Sequence, residues 1–154
     1  MSVESKLAAR GLKLPPPPQP LGSYTAVSRA GDLLFISGQL PLQDGKVVWQ
    51  GQVGKDLTVE QGQQAAQLAA LNVLSQIHAH LGGFDRLDHI VRLEGHVTSA
   101  PGSFDQPAVL DGASDLFADV LGDKAGHARA AYSQTQQPGN AAVILVVIAQ
   151  VKPQ

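Results

Sequence analysis

Apolar residues recur at helical spacing in two stretches of the chain and alternate with polar ones in several shorter runs. Ala66, Ala70, Val73, Ile77 and Leu81 form a stripe at intervals of four and three, which lines one face of a helix. Thr58 precedes the stripe as an N-cap, Gln61 stands at the N3 position of a capping box, and Gly82-Gly83 ends it. A second stripe, Val109, Ala113, Leu116, Phe117 and Val120, predicts a helix over 106–121, with Pro107 near its start and Gly122 closing it. A short helix over 3–10 follows Ser2 as N-cap and stops at Gly11.

Period-two alternation marks the strands. Residues 24–28 and 33–37 read as two strands joined by Arg29-Ala30-Gly31-Asp32, and 47–49 as a short third after the turn at 43–46. Residues 90–98 alternate, with Val91, Leu93, Gly95 and Val97 on one face and Arg92, Glu94, His96 and Thr98 on the other. Residues 128–135 form a strand carrying one arginine among small residues, with His127, Arg129, Ala131 and Ser133 sharing a face. The run 141–151, AAVILVVIAQV, is apolar on both faces, as a central, doubly covered strand would be. Three strands, helix, strand, helix and two strands give an α+β layer with the helices on one face. The other face of that sheet carries Arg92, Glu94 and His96, and a half-polar sheet face in a small domain points to an oligomer that buries it.

Composition narrows the class. The chain has 154 residues, enough for a single domain with a real core over 1–154. The start has no signal-peptide apolar core and no run is long enough to span a bilayer, so the expectation is a soluble cytoplasmic protein without a membrane partner. A net charge of -2 supplies no basic excess for phosphates, which disfavours nucleic acid as a partner. With no cysteine there is neither a disulfide nor a thiolate nucleophile. The proline run 15–18 reads as a stiff polyproline II connector laid on the surface.

Arg129 is the centre of the candidate chemistry. An arginine on a largely buried sheet must find an anion, either a carboxylate of this chain, with Glu94 and Asp111 the candidates, or one on a ligand. The five histidines show no metal-ligand spacing, and no glycine pattern forms a phosphate loop, so neither a metal nor a cofactor is expected. His96, on a face with Glu94 and Arg92, reads as part of a polar interface network.

Three segments carry a family resemblance: Gly22-Ser23-Tyr24, Leu34-Phe35-Ile36-Ser37-Gly38-Gln39-Leu40-Pro41, and Ala128-Arg129. The sequence resembles the Rid family of reactive intermediate/imine deaminases, also called the YjgF type. Residues 99–102 and 111–115 resemble a longer branch of it, labelled endoribonuclease L-PSP or translation initiation inhibitor. The resemblance covers roughly 21–151 and leaves the N-terminal helix and proline connector, 1–20, outside the shared core. It implies a chorismate-mutase-like protomer with a mixed sheet, and a homotrimer whose sheets face inward as a barrel, with ligand clefts between subunits. It also implies hydrolysis of enamines or imines such as 2-aminoacrylate to 2-keto acids and ammonia. By the same resemblance Arg129 binds the substrate carboxylate, while Tyr24 and Ser37 line the cleft. Ser23 stands where the family usually has proline, and 136–139 replaces its usual Leu-Pro segment. Ile144 stands where the family's water-placing glutamate belongs, with Val146 at the neighbouring acidic position. Three functions therefore stay open: an imine deaminase, a non-catalytic small-acid binder, and an endoribonuclease. No catalytic residue is assigned.

Overall fold

The computed structural model describes residues 1–153. Its elements are α1 (Val3–Ala9), β1 (Val27–Ala30), β2 (Leu33–Gln39), β3 (Leu42–Gln43), β4 (Lys46–Val47), α2 (Val59–Leu81), β5 (Leu87–Thr98), α3 (Gln106–Leu121), β6 (Ala128–Gln134) and β7 (Val143–Val151). Five strands form a sheet in the order β1-β2-β7-β5-β6, and β3 and β4 pair separately. The β5–β6 pair is parallel and the rest are antiparallel, so the sheet is mixed.

The helices form as their caps and stripes dictate. Thr58 Oγ1 accepts from the Gln61 amide at 3.1 Å, and the Thr58 amide donates to Gln61 Oε1 at 2.9 Å, so two orphan donors of α2 are satisfied. Ala66, Ala70, Val73 and Ile77 are fully buried, as are all five stripe residues of α3 within a percent. Small residues let the two helices approach closely. A Cβ on Gly112 would land on the Gln63 carbonyl oxygen, and one on Gly95 would land on Leu110. α1 closes the same core, with Leu7 at 0% exposure and Arg10 Nη1 donating to Asp119 Oδ2 at 2.9 Å.

β7 lies between β2 and β5. Val143, Leu145, Val147, Ala149 and Val151 are at 0% exposure beneath the helices. Ile144, Val146 and Ile148, on the other face, are only half-buried, because no layer formed by the described residues covers that side. The central position agrees with the sequence; the second covering layer is not supplied by this chain.

Several strand boundaries differ from the sequence expectation. β1 begins at Val27, because Tyr24 lies in a bend where its amide donates to the Gly22 carbonyl at 3.0 Å. Arg29 and Ala30 belong to β1, pairing with Leu34 and Leu33, and β2 runs on to Gln39. Residues 47–49 do not join the main sheet: Val47 pairs with Leu42 in a small hairpin, and the Trp49 carbonyl accepts from the Ala142 amide. β5 starts at Leu87 and is irregular between Ile90 and Arg92, which puts Ile90 in the core and leaves Val91 half-buried.

Gly112→Ala tests the helix contact. Helix propensity alone would favour alanine by up to about 1 kcal/mol. The clash is with backbone, which cannot swing away, so overpacking of about 1–3 kcal/mol wins. Denaturant titration is expected to show a net loss of stability; a gain would mean the helices part without strain.

Candidate functional site

The β5–β6 register decides where Arg129 goes. Arg129, Ala131 and Ser133 pair with Leu93, Gly95 and Val97, the buried positions of β5, so they face the helix layer. There Arg129 Nη1 donates to Asp111 Oδ1 at 2.8 Å and to Ser114 Oγ at 3.2 Å, and Nη2 donates to the Pro107 carbonyl at 3.3 Å. The two side chains of the pair are 26% and 50% exposed, so the pair opens to solvent. Of the two carboxylates the sequence offers, Asp111 is the partner; Glu94 lies on the opposite sheet face. His127 steadies Ser114: its Nδ1 bonds the Ala125 carbonyl, which fixes the proton there, and its Nε2 accepts from Ser114 Oγ at 2.9 Å. Beside Pro107, Gln106 joins Ser99, Ser103, Phe104, Ser133 and Gln134 in lining an open cleft of about 340 Å³.

Tyr24 and Ser37 sit at the other end of the sheet. Ser37 Oγ donates to the Thr25 carbonyl at 2.7 Å, and Tyr24 Oη accepts from the Leu21 amide at 3.1 Å. With Gly38, Gln39 and Gln76 they line a hollow of about 20 Å³ walled by 18–21. That wall is the end of the proline connector. Prolines cannot donate but their carbonyls accept, and α2 uses this: Gln76 Nε2 donates to the Pro18 carbonyl at 2.7 Å and Ser75 Oγ to that of Pro15. Sequence reasoning gave the connector no role in the site. The available signal was the polar pair Ser75-Gln76 beside the apolar stripe of α2, both buried in the structure. Ile144 lies here too, since a Cβ on Gly38 would stand 3.1 Å from Ile144 Cγ2.

Arg129 and the Tyr24–Ser37 pair are therefore not brought together within one chain. From β2 to β6 are three strand spacings, roughly 14 Å, and Arg129 faces the helices.

On the open sheet face, His96 Nε2 bonds Glu94 Oε2 at 2.8 Å, Gln134 Nε2 bonds His96 Nδ1 at 3.0 Å, and Arg92 approaches Glu94 at 3.6 Å. Tyr132 stacks on the His96 ring with centroids 5.4 Å apart. The hydrogen bond from His96 holds the Glu94 carboxyl below its ordinary value of 4.5, with burial opposing and the charges of His96 and Arg92 assisting.

The mixed sheet, the two helices on one face and the Ser37-Gly38-Gln39 element at the end of β2 define an α+β protein of the chorismate-mutase-like class. The chain belongs to the YjgF family: the model described as "YjgF/chorismate_mutase-like, putative endoribonuclease" matches residues 4–151. Protein TCP17 of Trypanosoma cruzi is 42% identical over 142 residues, covering 92% of this chain and 89% of that protein. Atu1372 of Agrobacterium tumefaciens, a crystal structure, is 38% identical with a TM-score of 0.91, covering 98% of this chain and 92% of that one. The crystal structure of a Shewanella oneidensis protein named a putative endoribonuclease is 37% identical with a TM-score of 0.94, covering 97% and 99%. No helix among the described residues is long and apolar enough to cross a membrane.

The lowered Glu94 value sets an acid dependence. A folded value below the unfolded one contributes stability that is present in full above the unfolded value and is lost as pH falls through the folded value. Denaturation midpoints measured across the acid range are expected to fall less steeply for Glu94→Gln than for the parent protein. Parallel acid limbs would mean that Glu94 is unperturbed.

Proposed function

We propose that the protein binds a small 2-imino or 2-keto acid in a cleft formed between copies of a homotrimer, and hydrolyses the imine to the keto acid and ammonia. One observation carries this reading. The residues matched to the family's ligand positions lie at opposite ends of one sheet, Arg129 on edge strand β6 and Tyr24 and Ser37 at β1–β2. They can meet over one ligand only if two chains contribute. Arg129 keeps two unused N–H donors on a partly exposed side chain, which suits the fork-to-carboxylate recognition of a small acid. Tyr24, Ser37 and the proline wall form the other side. Water adds to the C=N carbon and ammonia leaves.

A second reading rests on Ile144. Its side chain cannot hydrogen-bond water, so a cleft that binds the acid without turning it over is the alternative. The endoribonuclease label in the family's description has weaker support, because a net charge of -2 gives little attraction for phosphates.

Ammonia release from freshly generated 2-aminoacrylate is expected to exceed the buffer rate. Arg129→Ala is expected to lower it at least about tenfold, the effect of losing one charge-assisted hydrogen bond. No rate above buffer, with a keto acid still raising the melting temperature through Arg129, would leave the binding protein. Sedimentation is expected to give a trimer; a monomer would rule out the shared cleft. Single-stranded RNA is expected to survive incubation with the pure protein.

A further inference from the structure

The anion that answers Arg129 is itself exposed. Asp111 Oδ1 takes the Arg129 bond at 2.8 Å, and among the described residues its Oδ2 receives no hydrogen bond from the chain. A guanidinium has five N–H donors. Three are used, by Asp111, Ser114 and the Pro107 carbonyl, leaving the Nε–H and the second Nη2–H of Arg129. One positive and one negative group thus stand side by side, both open to solvent, each with unused hydrogen-bonding capacity.

A plain monoanion fits this pair poorly, because Asp111 repels what Arg129 attracts. A molecule with a carboxylate and a cationic nitrogen on the same carbon fits both. Building on the carboxylate reading of Arg129, we propose that Asp111 is a specificity-determining and proton-transferring residue that selects the zwitterionic iminium form of a 2-imino acid over the keto acid product. Arg129 holds the carboxylate through its free donors, and an Asp111 oxygen accepts an N–H of the iminium.

The chemistry then balances without the missing glutamate. The oxygen of water bonds to the iminium carbon, and the C=N π pair moves onto nitrogen. The added water gives up a proton to Asp111, which returns it to nitrogen, forming an ammonium leaving group. The C–N bond breaks and ammonia leaves with the bonding pair, the hydroxyl oxygen becomes the keto oxygen and passes its proton through Asp111 to that ammonia, and the products are a 2-keto acid and ammonium. The product carries no cationic nitrogen for Asp111, which favours its release.

L-Alanine and pyruvate test this as a matched pair, differing in whether an ammonium or a keto oxygen sits beside the carboxylate. Binding of each to the full-length protein is measured by calorimetry for the parent, Asp111→Asn, Asp111→Glu and Arg129→Ala. The parent is expected to prefer alanine. Asp111→Asn is expected to weaken alanine about tenfold, the loss of one charge-assisted hydrogen bond, while pyruvate binds as well or better. Asp111→Glu, which keeps the charge, is expected to retain the preference for alanine. A purely structural Asp111 moves both ligands in the same direction, and that result overturns the proposal while the Arg129 reading stands. If neither ligand binds the parent, or Arg129→Ala leaves both unchanged, the carboxylate reading fails and this inference falls with it.

Discussion

The alternation along β7 is the constraint on which the rest depends. Five of its residues fill the space beneath the helices, and a slip of one position would turn all of them to the open face. With that register fixed, Ile144 must lie opposite His96 and beside Gly38. Pairing with β7 also fixes β5, so Leu93, Gly95 and Val97 point inward. The parallel pairing of β6 then carries Arg129 to the helix side, within reach of α3. The position of the arginine is thus a consequence of core burial three strands from the Tyr24–Ser37 hollow.

The helices were legible because their signals are local: a cap, a stripe at helical period and a glycine stop lie within one stretch of chain. The α+β class followed from their order among the strands. What sequence could not supply was register. Glu94 and Asp111 were equal candidates for Arg129, and only the β5–β6 pairing separates them, since it places Glu94 on one sheet face and Arg129 on the other. The irregularity between Ile90 and Arg92 moves Val91 from the core position that strict alternation gives it, and no residue type there announces it. Tyr24 opens a run whose alternation predicts strand, yet a local turn bond to Gly22 takes precedence. The proline connector looked passive because prolines lack donors; its role comes from acceptors that α2 seeks.

Stability does not account for the Arg129–Asp111 pair. Its members are 26% and 50% exposed, and ion pairs in that range contribute about 0–1 kcal/mol. Glu94 has an imidazole and a guanidinium arranged around it and a depressed carboxyl value, which is what an organised structural network produces. Asp111 reaches a single arginine, is half exposed, and its Oδ2 takes no hydrogen bond from the described residues. A charge pair with little structural return and an accessible face fits the recognition role proposed for it.

Arg129 lies on edge strand β6, while Tyr24 precedes the other edge strand and Ser37 lies on its neighbour β2, so the proposed shared cleft couples recognition to assembly. Among the described residues β6 pairs only with β5 and β1 only with β2, so each presents an unpaired row of backbone groups. If, as proposed, the β6 edge holds Arg129 for a ligand, a proline or a covering helix there would close the site. Covering it with another copy protects the edge and brings a second wall to the ligand. The half-polar face bearing Arg92, Glu94 and His96 calls for a cover for a similar reason, since Ile144, Val146 and Ile148 lie among those charges and are only half-buried. Within the proposed trimer one packing event therefore serves the edge, the open face and the site. A substitution that loosens contacts between subunits should weaken ligand binding even where it touches no residue of the cleft.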